Sequence, residues 1–262
     1  MKAREISILC VGNSFAVDVA TYVHQIGIAS GHPIDISVLY IPGCPINRHY
    51  KNIMTGDQEY EFYHNGERYP SWKEDTIFRG LEEKRYDFIT FQQRSGDSVD
   101  GKTFFPELPL LLDKIKEKSE STFILHRTWA YAKTFSHERY GSDPLDQERM
   151  HKDIVNAYQK VSEAVAIPYI IPTGSAIQKA REIFGDALTR DGYHLNERGR
   201  TLAGILWVIY FGGDPDLDLT DFAPSGDTYD PPEPPVSKAE IQILKEIAKE
   251  TYLENKGHNL SH

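Results

Sequence analysis

A serine stands directly after the first predicted strand. The chain runs from the apolar segment 5–11 through Gly12 and Asn13 to Ser14, and a helical pattern follows over 15–30. Ligands of open α/β sheets bind at the carboxyl ends of strands, and the first N–H groups of a helix favour an anion. Ser14 is therefore a candidate nucleophile for a reaction that forms an oxyanion. Taken alone, a serine that only caps a helix is the more frequent interpretation.

An aspartate and a histidine lie three residues apart late in the chain. Asp191 and His194 occur in the segment 190–195, just before the last predicted helix of the sheet domain. Across a turn, the carboxylate can hold the imidazole Nδ1–H and leave Nε2 free as a general base. The pattern by itself is also typical of a surface turn. Combined with Ser14, it supplies a nucleophile, a base and an orienting carboxylate, which we expect to meet at one edge of the sheet.

Candidate oxyanion donors follow two further strands. Gly43 comes after the predicted strand 34–40, and Gln92 and Gln93 close the strand 87–92. A single oxyanion donor typically contributes about 3–4 kcal/mol to catalysis. The plainer alternatives are a turn glycine and polar residues that end a strand. Because successive side chains of a strand point to opposite faces, at most one glutamine is expected to face the site, and Gln93 is favoured.

Aromatic residues after the fourth strand are candidates for substrate binding. Trp129 and Tyr131 could stack on a sugar ring or flank an acyl group, and Tyr193 adjoins the candidate base. Aromatic packing beneath a loop is an equally good interpretation. His126 is a second candidate contact, with a buried, hydrogen-bonded histidine as its alternative.

Alternating strands and helices must position these residues. Nearly continuous apolar strands are typical of a parallel sheet that is covered on both faces. The alternation predicts an α/β fold that is doubly wound, with right-handed crossovers. A capping box at Ser71 and Glu74 marks the start of one helix. The predicted strands cover 5–11, 34–40, 87–92, 122–126 and 168–171, and the predicted helices cover 15–30, 72–85, 106–119, 144–166, 174–184 and 197–211.

Two segments depart from this alternation. Residues 44–70 contain an Asn-Gly pair between strand-like runs, which predicts a β-hairpin inserted after the second strand. Residues 223–236 are rich in proline and predict an extended linker. A helix with a capping box at Ser237 and Glu240 follows, and we expect it to pack back on the domain, with partner binding as the alternative. We therefore expect one sheet domain over 1–212, and a linker and closing helix within 213–262.

The composition excludes several classes of protein. The 29 Lys and Arg against 39 Asp and Glu give a net charge of −10, which argues against nucleic acid and anionic membranes as partners. The chain is predicted to be an ordinary soluble protein, because no apolar run approaches the ~20 residues of a membrane span. Two cysteines, Cys10 and Cys44, exclude a disulfide scaffold, and reduced thiols are favoured over a bridge.

The histidines and the start of the chain add two expectations. The ten histidines show no familiar metal-ligand spacing, so neither a metal nor a cofactor is expected. Glu5 interrupts the first apolar run, and a secretory signal would need a longer one. A cytoplasmic protein is therefore predicted, although a trimmed secreted protein would begin in the same way.

Taken together, the motifs resemble those of the SGNH (GDSL-type) hydrolases over about residues 5–212. The resemblance implies a three-layer α/β/α sandwich of flavodoxin-like type with a five-stranded parallel sheet. It also implies a triad of Ser14, His194 and Asp191, with an oxyanion hole formed by the N–H groups of Ser14 and Gly43 and one amide side chain. The matching segments are Gly12-Asn-Ser-Phe15, Gln92-Gln93, His126-Arg-Thr-Trp-Ala-Tyr131 and Arg190-Asp-Gly-Tyr-His-Leu195.

Two positions depart from the superfamily pattern. Asn13 stands where an aspartate is usual, and Gln92-Gln93 stands where Gly-x-Asn-Asp is usual. The second departure leaves the third oxyanion donor open among Gln92, Gln93 and neither.

The leading hypothesis is a serine esterase that removes small acyl groups, acetyl foremost, from carbohydrates. The net negative charge favours a neutral substrate over a phospholipid. One alternative is a lipase or thioesterase with the same triad. Another is a non-catalytic glycan-binding or interaction module on the same scaffold. The oligomeric state is left open.

Overall fold

A seven-stranded sheet forms the centre of the molecule. The computed structural model describes residues 4–69, 75–142, 144–224, 233 and 235–260. The strands of the sheet lie in the order β4-β3-β2-β1-β5-β6-β9. Their bounds are β1 Ile6–Gly12, β2 Ile34–Tyr40, β3 Glu61–His64, β4 Glu67–Arg68, β5 Phe88–Phe91, β6 Thr122–His126 and β9 Ile170–Ile171, and a separate ribbon pairs β7 Ser136–His137 with β8 Gly141–Ser142.

The five strands β2, β1, β5, β6 and β9 are parallel, as predicted. Their register brings the strand ends level, since Val11 of β1 lies beside Leu39 of β2 and Phe91 of β5, and Phe91 lies beside Leu125 of β6. The loops that follow these strands therefore open at one edge of the sheet. The predicted α/β fold class is confirmed.

The predicted hairpin is part of the sheet. β3 pairs antiparallel with β2, and β4 pairs antiparallel with β3, which extends the five parallel strands to seven. Asn65 and Gly66 both have positive φ values, 51° and 89°, as the tight turn requires. The Asn65 side chain also accepts a hydrogen bond from the Ile36 N–H of β2, which fixes the turn against the sheet.

Eight α-helices in the described part of the chain surround the sheet. α1 and α7 pack against each other, α8 packs on α6 and α7, and α2 packs with α3 and α4. Short 3-10 turns cover Gly101–Phe104 and Lys256–His258. The helices are α1 Ser14–Ala29, α2 Ile46–Thr55, α3 Ile77–Glu82, α4 Glu107–Lys116, α5 Gln147–Val165, α6 Thr173–Phe184, α7 Glu197–Gly212 and α8 Lys238–Glu254.

Two helices differ from the prediction. α2 lies inside the segment 44–70, where only a hairpin was expected. Its buried face carries the polar residues His49 and Asn52 beside Ile46 and Ile53, so few apolar residues mark it in the sequence. α3 is shorter than the predicted helix over 72–85, and Thr76 caps it by accepting from the Arg79 N–H. The proposed capping box at residues 71 and 74 lies outside the described residues.

The C-terminal helix begins with the predicted capping box. The Ser237 hydroxyl accepts from the Glu240 N–H, and Glu240 Oε2 accepts from the Ser237 N–H at 2.9 Å. The apolar stripe of α8, which includes Ile241 and Leu244, is buried.

Three prolines of the predicted linker, at 231, 232 and 234, lie outside the described residues. Over the part of the chain that the structure describes, no helix has both the length and the apolar character needed to cross a membrane.

Glu240 takes part in the capping box of α8 and also binds Arg198 of α7. Hydrogen bonds from Ser237, and then from Arg198 of α7, lower the pKa of Glu240 from 4.5 to about 2. A carboxyl whose pKa is lowered by folding stabilises the protein fully above its ordinary pKa, and this contribution is lost as the pH falls through the folded value.

We therefore expect Glu240→Gln to lower the free energy of unfolding by about 1 kcal/mol at pH 7, since solvent screens a partly exposed pair. The difference from the wild type should shrink as the pH falls from 4.5 towards 2, as measured by urea denaturation. Glu246→Gln, an exposed position on the same helix, is the control and should change little. A constant difference for Glu240→Gln across this range would contradict the assignment.

Candidate active site

Ser14 is held at the junction of the central strand and the first helix. β1 ends at Gly12, Asn13 caps α1 by accepting the Phe15 N–H at 3.1 Å, and Ser14 is the first residue of the helix. Only glycine fits before the cap, because a Cβ on Gly12 would lie 2.9 Å from Ala16 Cβ. The Ser14 hydroxyl and backbone N–H are therefore presented at the carboxyl edge of the sheet.

His194 lies between Ser14 and Asp191. His194 Nε2 is 2.8 Å from Ser14 Oγ, and Nδ1 is 2.6 Å from Asp191 Oδ2. The carboxylate accepts the Nδ1–H, which leaves Nε2 to accept the hydroxyl proton of Ser14. The structure thus brings together the three side chains that the sequence singled out.

The Asp191 carboxyl is held in its ionised form. Burial alone would raise its pKa, but hydrogen bonds from the His194 side chain and from the backbone N–H groups of His194 and Tyr193 outweigh burial and lower the pKa. An ionised Asp191 fixes the imidazole tautomer, and it stabilises the imidazolium that forms when His194 takes a proton.

These residues open into a cleft of about 700 Å³. Its wall is divided between aromatic rings and polar side chains. Arg94 and Asp97 form an ion pair at 2.8 Å, and Ser95 Oγ lies 2.9 Å from the Tyr131 hydroxyl. The lining residues are Asn13, Ser14, Tyr40, Pro42, Gly43, Arg94, Ser95, Gly96, Asp97, Tyr131, Phe135, Ser136, His137, Glu138, Tyr193 and His194.

Two backbone N–H groups are available in this cleft. Ser14 N–H belongs to the first turn of α1, where no intrahelical acceptor exists. Gly43 has a φ of 56° and lines the same cleft. Among the described residues, neither N–H has a hydrogen-bond acceptor. Both belong to residues that line the cleft beside His194.

The expectation that Gln93 supplies a third donor needs correction. Gln93 Nε2 donates to the Thr103 carbonyl at 2.8 Å, and its Oε1 accepts from the N–H groups of Ile46 and Arg94. The side chain joins the start of α2 to the 3-10 turn and does not line the cleft. Its amide is occupied by structural hydrogen bonds.

Gln92 is also directed into the fold. Gln92 Nε2 donates to Asn13 Oδ1 at 2.7 Å, and Oε1 accepts from His126 Nδ1 at 2.6 Å. The two glutamines point in different directions, as their alternation predicts, yet neither reaches the cleft. Gln92 instead orients Asn13, and Asn13 Nδ2 donates onward to the Cys44 carbonyl at 3.1 Å.

Two of the four candidate substrate contacts, Trp129 and His126, do not line the cleft. Trp129 has no exposed surface, stacks on Phe15 with ring centroids 3.9 Å apart, and donates to the Tyr193 carbonyl. His126 is also fully buried, and burial lowers its pKa to about 3, so it is neutral. The other two candidates, Tyr131 and Tyr193, line the cleft, and the Tyr193 ring lies 4.0 Å from that of His194.

Several residues of the cleft wall were not predicted from the sequence. Arg94 and Ser95 directly follow the two glutamines, so their place after a strand end was a usable signal. Phe135, His137 and Glu138 lie in or beside the short strand β7, which has no periodic sequence pattern, and nothing in the sequence indicates that they reach the site.

Metal ligands and cysteine thiols are two further kinds of group that can carry chemistry. Within the described ranges, no group of three or more His, Cys, Asp or Glu residues is arranged to hold a metal ion. Cys10 and Cys44 are free thiols, both buried. Burial raises the pKa of each to about 12, so both are un-ionised at neutral pH.

Two solved structures from other organisms share the fold of this protein. A candidate SGNH hydrolase from Slackia heliotrinireducens is similar with a TM-score of 0.53 at 13% identity, covering 78% of this chain and 98% of that one. A candidate GDSL-like lipase from Parabacteroides merdae ATCC 43184 is similar with a TM-score of 0.53 at 14% identity, covering 80% and 96%. At these identities the comparison establishes the fold, which is that of the SGNH-type proteins.

The family is established by closer matches. The model of DUF4886, a domain of unknown function, matches residues 7–225. The crystal structure of a DUF4886 family protein from Bacteroides uniformis ATCC 8492 has 31% identity, covers 95% of both chains and gives a TM-score of 0.84. The chain therefore belongs to the DUF4886 family. No curated protein matches it in sequence.

The hydrogen bonds of Asn13 explain why an aspartate would fit poorly here. Asn13 Oδ1 accepts from Phe15 and Gln92, while Nδ2 faces the Cys44 carbonyl. In Asn13→Asp, a carboxylate oxygen would face that carbonyl oxygen. We expect a loss of about 1–3 kcal/mol in the free energy of unfolding, measured by urea denaturation.

Asn196→Asp is the matched control. Asn196 caps α7 by accepting the Gly199 N–H, which an aspartate can also do. This variant should keep its stability within about 0.5 kcal/mol. Equal stability of the two variants would refute the proposed role of the Asn13 amide.

Proposed function

We propose that this protein is a serine esterase of the SGNH type that hydrolyses small acyl esters, acetyl foremost, of carbohydrates. The observation that carries the proposal is the continuous arrangement of Ser14 Oγ, His194 and Asp191, with contacts of 2.8 and 2.6 Å. Such a triad activates a hydroxyl that is otherwise a weak nucleophile.

The first half of the reaction forms an acyl-enzyme. Ser14 Oγ attacks the ester carbonyl carbon while its proton passes to His194 Nε2. The carbonyl oxygen becomes an oxyanion, and the N–H groups of Ser14 and Gly43 donate hydrogen bonds to it. As the tetrahedral intermediate collapses, the carbon–oxygen bond to the alcohol breaks, and His194 returns the proton to the leaving alcohol.

The second half of the reaction restores the serine. A water molecule attacks the acyl-enzyme carbonyl and gives a proton to His194 Nε2. The second tetrahedral intermediate releases the carboxylic acid, and His194 returns the proton to Ser14 Oγ. Asp191 stays ionised throughout and stabilises the imidazolium in each half.

The cleft supports a carbohydrate substrate. The partly exposed rings of Phe135 and Tyr193 line the cleft, where they can pack on the apolar face of a sugar ring. Arg94 and Asp97 place donors and acceptors in the same wall, as sugar hydroxyls require. A long acyl chain would instead favour a mainly apolar groove, so this mixed lining favours an acetyl ester over a lipid.

The triad is tested by Ser14→Ala and His194→Ala. Each should lower kcat/KM for p-nitrophenyl acetate by about 10⁴-fold or more, because nucleophile and base act as a unit. Asp191→Asn should cost about 10²–10⁴-fold, since the tautomer is no longer fixed.

Ser95→Ala is the control within the same cleft. The Ser95 hydroxyl contacts the Tyr131 hydroxyl rather than the triad, so the rate should stay within about 10-fold of the wild type. A Ser14→Ala variant as active as the Ser95→Ala variant would exclude the proposed nucleophile.

Acyl-chain preference tests the substrate class. Across p-nitrophenyl esters from acetate to octanoate, we expect the highest kcat/KM on acetate, and acetylated sugars should release acetate. A maximum at octanoate or longer would identify a lipase or thioesterase instead. If the wild type hydrolyses no ester faster than Ser14→Ala but binds a glycan, the protein is a non-catalytic binding module.

A further inference from the structure

A buried carboxylate joins the helix of Ser14 to the segment that carries His194. Asp18 lies one helical turn after Ser14 on α1 and is 1% exposed. Its partners are 172 to 182 residues away in the sequence and surround His194 or lie on α7. None of the steps of the proposed reaction uses this group.

Asp18 holds both ends of the segment 190–195. Its Oδ2 accepts from the Leu195 N–H at 2.8 Å, directly after His194. Its Oδ1 accepts from Arg190 Nη1 at 3.0 Å, directly before Asp191, and from Arg200 Nε of α7 at 3.2 Å. The Arg190 guanidinium also donates to the Leu195 carbonyl, so it closes the segment on itself.

Contacts from outside the segment 190–195 must fix the distance between this segment and Ser14. The bond between Asp191 and His194 lies within the segment, so it orients the imidazole but does not place it against α1. Trp129 Nε1 and the Ala132 N–H hold the tip of the segment through the carbonyls of residues 193 and 192. Asp18 holds the base of the segment, and it does so from the helix on which Ser14 lies.

The burial of Asp18 and Arg200 indicates that this ionic cluster positions the segment 190–195 more than it stabilises the fold. Asp18 and Arg200 have side chains only 1% exposed, and taking both charges out of water offsets much of their attraction. A buried ion pair is therefore weak evidence of stabilisation, whereas its short, directed bonds restrict where the partners can lie. Here they restrict the segment that carries the base.

We propose that Asp18 is a positioning residue that, through Leu195 and Arg190, sets the distance between His194 Nε2 and Ser14 Oγ. The inference rests on the proposed esterase function for its kinetic consequences, but its geometric content is independent of that function. A misplacement of about 1 Å between reacting groups can cost about 10²-fold in rate.

Glu197 provides a matched control for the loss of a buried charge. It belongs to the same ionic cluster, where it accepts from the Tyr22 hydroxyl and pairs with Arg200 Nη1 at 3.5 Å. It lies on α7 and is also nearly buried, at 2% exposure. Glu197→Gln thus disturbs the cluster without removing an acceptor of the Leu195 N–H.

The experiment compares Asp18→Asn with Glu197→Gln at a temperature at which both are folded by circular dichroism. We measure kcat and KM on p-nitrophenyl acetate and the rate at which a fluorophosphonate probe labels Ser14. Asp18→Asn should lower kcat and the labelling rate by about 10–100-fold with KM changed less than about threefold. Glu197→Gln should stay within about threefold of the wild type at a similar loss of Tm.

Equal effects of the two variants at equal loss of Tm would overturn the inference. If Asp18→Asn does not fold, Arg190→Lys replaces it, because lysine cannot bridge Asp18 and the Leu195 carbonyl as a guanidinium does. Arg190→Lys should lower kcat by about 3–10-fold with little change in KM. An unchanged kcat would refute the positioning role of the cluster.

A crystallographic readout separates this inference from the proposed function. If the wild type is labelled no faster than Ser14→Ala, the esterase proposal fails, but the distance between Ser14 Oγ and His194 Nε2 can still be measured. We expect it to exceed 3.5 Å in Asp18→Asn and to stay near 2.8 Å in Glu197→Gln. An unchanged distance in Asp18→Asn would overturn the positioning role whatever the activity.

Discussion

The contact of 2.8 Å between Ser14 Oγ and His194 Nε2 joins residues 180 positions apart, and the site depends on it. It can form only because β1 and the segment before α7 finish at the same edge of a parallel sheet. α1 and α7 pack against each other, and this packing brings the two residues to facing ends of their elements. A hydroxyl on one helix and a base on a loop become a reactive pair only at this separation.

Much of the polar interior serves to hold loops at that edge. His126, Gln92 and Asn13 form a chain of hydrogen bonds that ends on the Cys44 carbonyl, and Gln93 ties the start of α2 to the 3-10 turn. These groups support the loop of Gly43, which lines the cleft. In the proposed mechanism the donors to the oxyanion are therefore backbone groups, and the side-chain amides hold the loops behind them.

Local patterns were enough to predict the strands, the hairpin and the capping box of α8, because each depends on residues close in sequence. Helix α2 was missed since His49 and Asn52 lie on its buried face. Gln93 was wrongly favoured as an oxyanion donor and the role of Trp129 stayed open, because sequence does not show which way a side chain turns after a strand end. The contacts of Asp18 could not be predicted from local patterns, since its partners are more than 170 residues away in the sequence.

The most direct test of the account is to locate the serine that reacts. The protein is treated with a fluorophosphonate ester, digested, and mapped by mass spectrometry. The account predicts a single covalent adduct, on Ser14, that is strongly reduced in His194→Ala. An adduct on another residue such as Ser95, or none in a protein that hydrolyses esters, would contradict it.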